Sequence, residues 1–245
     1  MPHINERILE QIREQTETTW RDSKPLTFDE FLAQDKASYI WQQGTKWLGL
    51  SDVELNALEK QWSLQFPPDY RLFLKILHCM DKPVIIAKYD ANIKKIIPSD
   101  AILFQNWLTD TENIQTVYQQ LREDLIYDVL NNNLWKSGWG RKPVTRYGQG
   151  QQIEKLIAEA PKLIPIYGHC FLLAEPNVAG NPILVLHQSK MLIYSPDFYA
   201  FLCKDFPDLL HLDKKELQRL HIESRRFSKE RYGVYKRVPF WGELI

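Results

Sequence analysis

Cysteine is scarce in this chain, which has three in 245 residues, at wide and unpatterned spacing: Cys79, Cys170 and Cys203. An odd and irregular set excludes a framework of paired disulfides and is typical of a reducing compartment. The sequence opens without the basic and apolar stretches of a secretory signal. Its longest aliphatic runs, such as residues 83–87, fall far short of the ~18 residues that cross a bilayer. We therefore expect a cytoplasmic protein without a membrane partner.

An excess of charge of either sign is also lacking, because 31 basic side chains balance 31 acidic ones. No global field draws nucleic acid or an anionic membrane, so electrostatic attraction must come from a local patch. One basic stretch runs from Arg219 to Arg237, with seven positive and two negative side chains. A solvated helix face is favoured there over a nucleic-acid contact, because glutamates are interspersed.

Motifs that carry chemistry are missing as well. Neither C-x-x-C nor H-E-x-x-H occurs, and the adjacent pairs His78-Cys79 and His169-Cys170 have unsuitable spacing for one metal ion. The glycines of residues 138–142 and 148–150 fit no phosphate-binding loop, and G-x-S-x-G is absent. We expect no catalytic residues, no metal site and no cofactor, which argues against an enzyme.

Helix signals are strong along the chain. Serine or threonine followed three residues later by glutamate is a capping box, and it recurs at Thr27, Ser51 and Thr109. Pro67-Pro68 suits a helix entry and places Phe73 and Leu74 on an apolar face, where we expect core residues. The predicted helices cover residues 4–20, 28–32, 51–62, 68–78, 109 to about 131, 151–159 and 198–204.

Short β-branched and aliphatic runs lie between polar turns and predict strands. These runs are residues 84–87, 92–97, 102–107, 163–166, 183–186 and 192–194. Neighbouring runs are joined locally rather than through crossover helices. The sequence therefore predicts an α+β fold with a single mixed, mainly antiparallel sheet of short strands flanked by helices.

Several motifs follow one another along the chain: Trp47-Leu48-Gly49-Leu50, Phe66-Pro67-Pro68-Asp69-Tyr70, Trp135 with Trp139-Gly140-Arg141-Lys142-Pro143, residues 161–169, Gly180-Asn181-Pro182 and Ile193-Tyr194. Their order resembles that of the SUKH superfamily, which contains a yeast cell-wall-synthesis regulator and many bacterial proteins similar to toxin-immunity proteins. Cys170 and Ser195-Pro196 depart from the family pattern. The resemblance covers about residues 47–206. The remainder of this single domain is then a helical N-terminal extension, 1–46, and a basic helical C-terminal extension, 207–245.

The resemblance implies a non-catalytic protein-binding module, and we favour an immunity-type protein that binds and neutralises a bacterial toxin domain. Two alternatives stay open. One is a stand-alone regulatory scaffold that binds a cellular protein, and the other is a nucleic-acid-associated protein that uses the basic C-terminal segment.

Interface hot spots favour Trp, Tyr and Arg. Trp139, Arg141 and Tyr194 are the main candidates for partner binding, since each lies at a predicted turn or strand end where its side chain can leave the core. His169 and Trp135 are the weaker candidates. For the two tryptophans a structural role is the favoured reading, because indoles usually bury their large area in the core.

Overall fold

The fold is described from a computed structural model that covers residues 4–34, 39–187, 189–205 and 235–245, with the single positions 215, 218, 219, 222, 226 and 233. The helices are α1 (Glu6–Asp22), α2 (Phe28–Leu32), α3 (Asp52–Trp62), α4 (Pro68–Leu77), α5 (Thr111–Asn131), α6 (Arg146–Glu159) and α7 (Phe198–Asp205). The strands are β1 (Trp47–Leu48), β2 (Cys79–Met80), β3 (Val84–Asp90), β4 (Lys95–Ala101), β5 (Leu163–Tyr167), β6 (Cys170–Leu173), β7 (Ile183–His187) and β8 (Lys190–Ser195). Most of the predicted basic helical face, 219–237, lies outside the described residues.

Two of the three predicted capping boxes form. The Thr27 and Ser51 side chains accept hydrogen bonds from the backbone of Glu30 and Glu54, whose carboxylates accept in return. At Thr109 the box does not form, and α5 begins after Asp110 without a side-chain cap. The Asp110 carboxylate binds the Asn106 amide at 2.9 Å instead, so this segment closes a turn before the helix starts.

The α+β class is confirmed, but the prediction of a single sheet is wrong. Among the described residues, β5, β6, β7 and β8 form a four-stranded antiparallel meander, while β1–β2 and β3–β4 are separate antiparallel pairs. The run 102–107 is not a strand. Its Trp107 is fully buried, and its backbone N–H and indole N–H donate to His78 and Tyr70 rather than to a ladder.

The four-stranded sheet separates two hydrophobic cores, because side chains alternate between the faces of a strand. One face carries Ile164, Leu172 and Ile183 and packs in the first core with α1, α3, α4 and α7. The opposite face carries Leu163, Phe171 and Leu184 and packs in the second core with α5, α6 and the C-terminal residues. The sheet is thus the middle of three layers.

Both predicted extensions contribute to these cores where they are described. In the N-terminal part, Trp20 packs on Trp47 with ring centroids 5.6 Å apart, and the Trp47 indole donates to the Thr16 hydroxyl at 2.9 Å. At the other end, the indole of Trp241 donates to the Pro161 carbonyl at 2.6 Å. The described parts of both segments are therefore packed into the cores.

Candidate partner-binding surface

The connection between α5 and α6, residues 132–145, is held from beneath by stacked aromatic rings. Trp139 stacks on Phe240 with centroids 5.1 Å apart and planes inclined by 12°, and Phe240 meets Trp241 edge-on at 4.7 Å. Trp135 lies edge-on to Trp139 at 5.9 Å. Aromatic pairs of this geometry add to the stability gained from burial alone. These ring contacts therefore anchor the connection to the C-terminal segment.

Trp139 itself is only 3% exposed, and its Nε1 makes no hydrogen bond with the described residues. Its predicted role as a surface anchor needs correction, because the C-terminal segment supplies Phe240 and covers the indole. No pattern near Trp139 indicates that a residue about a hundred positions later covers it.

Around these rings the connection and the adjoining helix turns present a set of exposed side chains. Val144 and Tyr147 are 94% and 74% exposed, Tyr127 is also exposed, and the Trp135 ring is half-buried. Arg141 is exposed and makes no hydrogen bond or ion pair with any described residue. We call this set the α5–α6 surface, and its members are Tyr127, Trp135, Arg141, Val144, Arg146 and Tyr147.

The α5–α6 surface is held in place by short polar contacts. The Arg146 guanidinium donates to Asn131 Oδ1 at 3.1 Å, and the Trp135 indole donates to the Gly140 carbonyl at 2.9 Å. Thr145 caps α6 by accepting from the Gly148 amide at 3.1 Å. That cap starts α6 five residues before its predicted start, so Arg146 and Tyr147 stand on a helix rather than a loop.

The electrostatics of this region are one-sided. Between Val129 and Ile153 there are four cationic side chains and no carboxylate: Lys136, Arg141, Lys142 and Arg146. The N-terminus of α6 adds its partial positive charge. Glu243 of the C-terminal segment approaches the Gly138 amide from one side. A neutral chain therefore carries a local positive surface.

The remaining predicted site residues lie elsewhere. Tyr194 packs toward the first core, on the opposite face of the sheet from Trp139, because side chains alternate along β8 and its neighbour Ile193 packs in the second core. Its hydroxyl donates to Asp205 Oδ1 at 2.6 Å, and Lys204 Nζ lies 3.3 Å from its ring centroid. His169 is exposed in the β5–β6 turn. The five predicted residues thus do not form one surface.

None of the buried titratable groups that the structure describes is an activated nucleophile. Burial lowers the pKa of His78 to about 4 and raises the pKa of Cys79 to about 12, so the contact of 3.7 Å between them joins two neutral groups. Burial likewise raises the pKa of Cys170 and of Cys203 to about 12. Within the described part of the chain, no cluster of three or more His, Cys, Asp or Glu side chains is placed to hold a metal ion.

Among the helices that the structure describes, none has the length and apolar character needed to cross a membrane. Comparison of the chain with protein-family models, with curated proteins and with solved structures finds no match. The resemblance to the SUKH superfamily stays a prediction from the sequence.

Proposed function

We propose that this protein is a non-catalytic binding module of the immunity type, which neutralises a bacterial toxin domain by covering part of its surface. The observation that carries this proposal is the α5–α6 surface. It combines exposed Tyr and Arg side chains and a half-exposed Trp with an aliphatic side chain, which is the composition of interface hot spots. Because the surface is already ordered, little conformational freedom is lost when a partner binds.

The positive charge of this region favours a partner with a carboxylate-rich face. Complementary charge speeds encounter and rejects partners of like charge. Four cations without a neighbouring acid in sequence would supply it here. A regulatory scaffold that binds a cellular protein would use the same surface, so the identity of the partner separates the two roles.

A rescue assay tests the immunity role. A toxin gene found beside this gene is expressed in cells with and without the protein, and cells are expected to survive only with it. Absence of a toxin gene among the neighbours, together with no protein partner in a pull-down from the native cell, would remove this role. Binding to DNA or RNA that falls steeply with salt would favour the nucleic-acid alternative instead.

Arg141→Ala is expected to weaken binding of that partner by about 1 kcal/mol or more, because it removes an exposed arginine of the α5–α6 surface. The free energy of unfolding should change by less than about 0.5 kcal/mol, since Arg141 is exposed and has no hydrogen bond or ion pair with a described residue to lose. Calorimetric titration and urea unfolding measure the two effects.

Arg21→Ala is the matched control, because Arg21 is an exposed arginine on α1 whose ion pair, among the described residues, is with the neighbouring Asp22. It should leave partner binding unchanged. Equal weakening by both variants would mean that general charge, and not the α5–α6 surface, attracts the partner.

A further inference from the structure

The β3–β4 hairpin projects from the fold. At its base, Val84 is buried in the first core and Ala101, opposite it, packs against that core. From Ala87 to the turn and back to Pro98 nearly every side chain is exposed. Four residues of strand reach roughly 14 Å beyond the anchored base at about 3.4 Å per residue. Isolated two-stranded ribbons are only marginally stable, so contact with a partner would stabilise such a projection.

One face of the projecting part is apolar. The register places Tyr89 opposite Ile96 and Ala87 opposite Pro98. The backbone N–H and C=O of Ile85 bind those of Ile40, on the side of β3 away from β4, so Ile85 is not hydrogen-bonded to β4. Hydrogen-bonded and non-hydrogen-bonded pairs alternate along the ladder, so the pairs of Ala87 and Tyr89 are also non-hydrogen-bonded, and their side chains approach closely. Tyr89 and Ile96 are nevertheless 62% and 53% exposed. With Ile93 in the turn, also exposed, they form what we call the hairpin face.

The reverse side of the hairpin is mainly basic. Lys88, opposite Ile97, and Lys95, opposite Asp90, belong to the hydrogen-bonded pairs and point to this side, and Lys94 lies in the turn. None of the three forms an ion pair with a described carboxylate. The Asp90 carboxylate is engaged by the turn amides of Asn92 and Ile93, at 2.8 and 3.4 Å. The tip is therefore amphipathic across its thickness.

The outer edge of β4 is poorly suited to pair with another strand. Pro98 lies at an outward-facing position and has no N–H to donate, which is a common way of blocking an edge strand. A two-fold pairing with a second copy along this edge would lose donors at its centre. Along this edge the exposed side chains, rather than the backbone, are left to make contacts.

We propose that the β3–β4 hairpin inserts its tip into a cleft of a partner protein, one wall of which is apolar and the other rich in carboxylates. The apolar wall covers the hairpin face, and the acidic wall meets Lys88 and Lys95. A cleft fits better than a flat surface, because two opposite sides of one thin element carry complementary chemistry. This inference does not rest on the proposed immunity role, and the hairpin belongs to the first core while the α5–α6 surface belongs to the second.

The test begins with a photo-reactive amino acid placed at position 89 of the full chain in its native cell. Position 53 receives the same group as a control, because Val53 is an exposed aliphatic residue on α3. A protein captured at position 89 and not at 53 is then purified, and its affinity for the whole protein is measured by calorimetric titration.

Both sides of the hairpin should matter for that affinity. The double variant Tyr89→Ser with Ile96→Ser is expected to raise the Kd at least tenfold, and Lys88→Glu with Lys95→Glu should do the same. Val53→Ser should leave the Kd within twofold. The thermal midpoint of each variant is compared with that of the parent, and the lysine variants keep the test decisive if the apolar ones unfold.

Three results would overturn the proposal. The first is no capture specific to position 89, and the second is a captured partner whose Kd neither double variant changes. The third is capture of lipid or of a second copy of this chain, which would make the tip a membrane or self-association element instead.

Discussion

Replacing Phe73 by Ala is expected to lower the free energy of unfolding by about 3–5 kcal/mol, because a cavity is added to the lost transfer free energy of the ring. Phe73 is buried in the first core, with its ring 5.1 Å from that of Phe104 and 4.9 Å from that of Phe198. It therefore joins α4, the segment before α5, and α7. Urea unfolding followed by tryptophan fluorescence measures the loss.

Val53→Ala provides the comparison for this experiment, because Val53 is an exposed aliphatic residue on the neighbouring α3. Its effect should stay within about 0.5 kcal/mol. A loss of less than about 1 kcal/mol for Phe73→Ala would mean that these three elements do not share one core.

Acidification from pH 7 to pH 4.5 is expected to destabilise the protein through His78. This imidazole is buried, and its Nε2 accepts the Trp107 N–H at 2.9 Å, which requires the neutral form. Burial lowers its pKa to about 4 from the ordinary 6.5, although the carboxylates of Asp110 and Glu54 act in the opposite direction. Between these two pKa values the imidazole is therefore protonated in the unfolded chain and neutral in the folded chain.

The loss of stability at low pH follows from proton uptake on unfolding. Stability is fully present above pH 6.5 and is lost as the pH falls toward 4, because the unfolded state holds more protons in that window. The loss from this group is on the order of 3 kcal/mol, since each pKa unit corresponds to about 1.4 kcal/mol. Urea unfolding at a series of pH values between 4.5 and 7.5 measures it.

His78→Gln is the control, because the glutamine carbonyl can accept the Trp107 N–H while the side chain does not titrate. Its free energy of unfolding should depend less steeply on pH over the same range, because unfolding of this variant takes up as much as one proton fewer. An unchanged slope would assign the acid sensitivity to other groups, such as the carboxylates of Glu30 and Glu54, whose pKa values are lowered by their capping hydrogen bonds.

Helix positions followed closely from the sequence, because their signals are local. The capping boxes at Thr27 and Ser51 and the proline entry at Pro67 act within one turn of the residues they cap. Helix α6 was predicted too short, because Gly148 and Gly150 argue against a helix in isolation. The Thr145 cap and the packing of Ile153 in the second core outweigh those glycines.

Sheet organisation was harder to predict, because strand pairing is decided between distant segments. Nothing local distinguishes residues 84–101, which form a separate hairpin, from residues 163–195, which form the central sheet. Strand β6 was also missed, since Cys170–Leu173 follows a two-residue turn and all four of its side chains are buried, without polar alternation.

The candidate site likewise contains residues that local signals predict and residues whose exposure depends on tertiary packing. The sequence placed Arg141 and Trp135 correctly in a connection between helices, because glycine and proline mark that connection. Tyr127 and Tyr147 were missed, since they lie on helical turns whose exposure depends on how α5 and α6 pack. The burial of Trp139 depends on Phe240, and no pattern near Trp139 contains that information.

The stacking of Trp139 on Phe240 also bears on the order of folding events. The contact closes a loop of about a hundred residues, and its entropic cost must be met before the stacking returns any stability. The meander and the helical hairpin of α5 and α6 contain mostly short-range contacts and can form earlier. We therefore expect the docking of residues 240–245 to be a late step, so that a transient state with Trp139 solvent-exposed would precede the native protein.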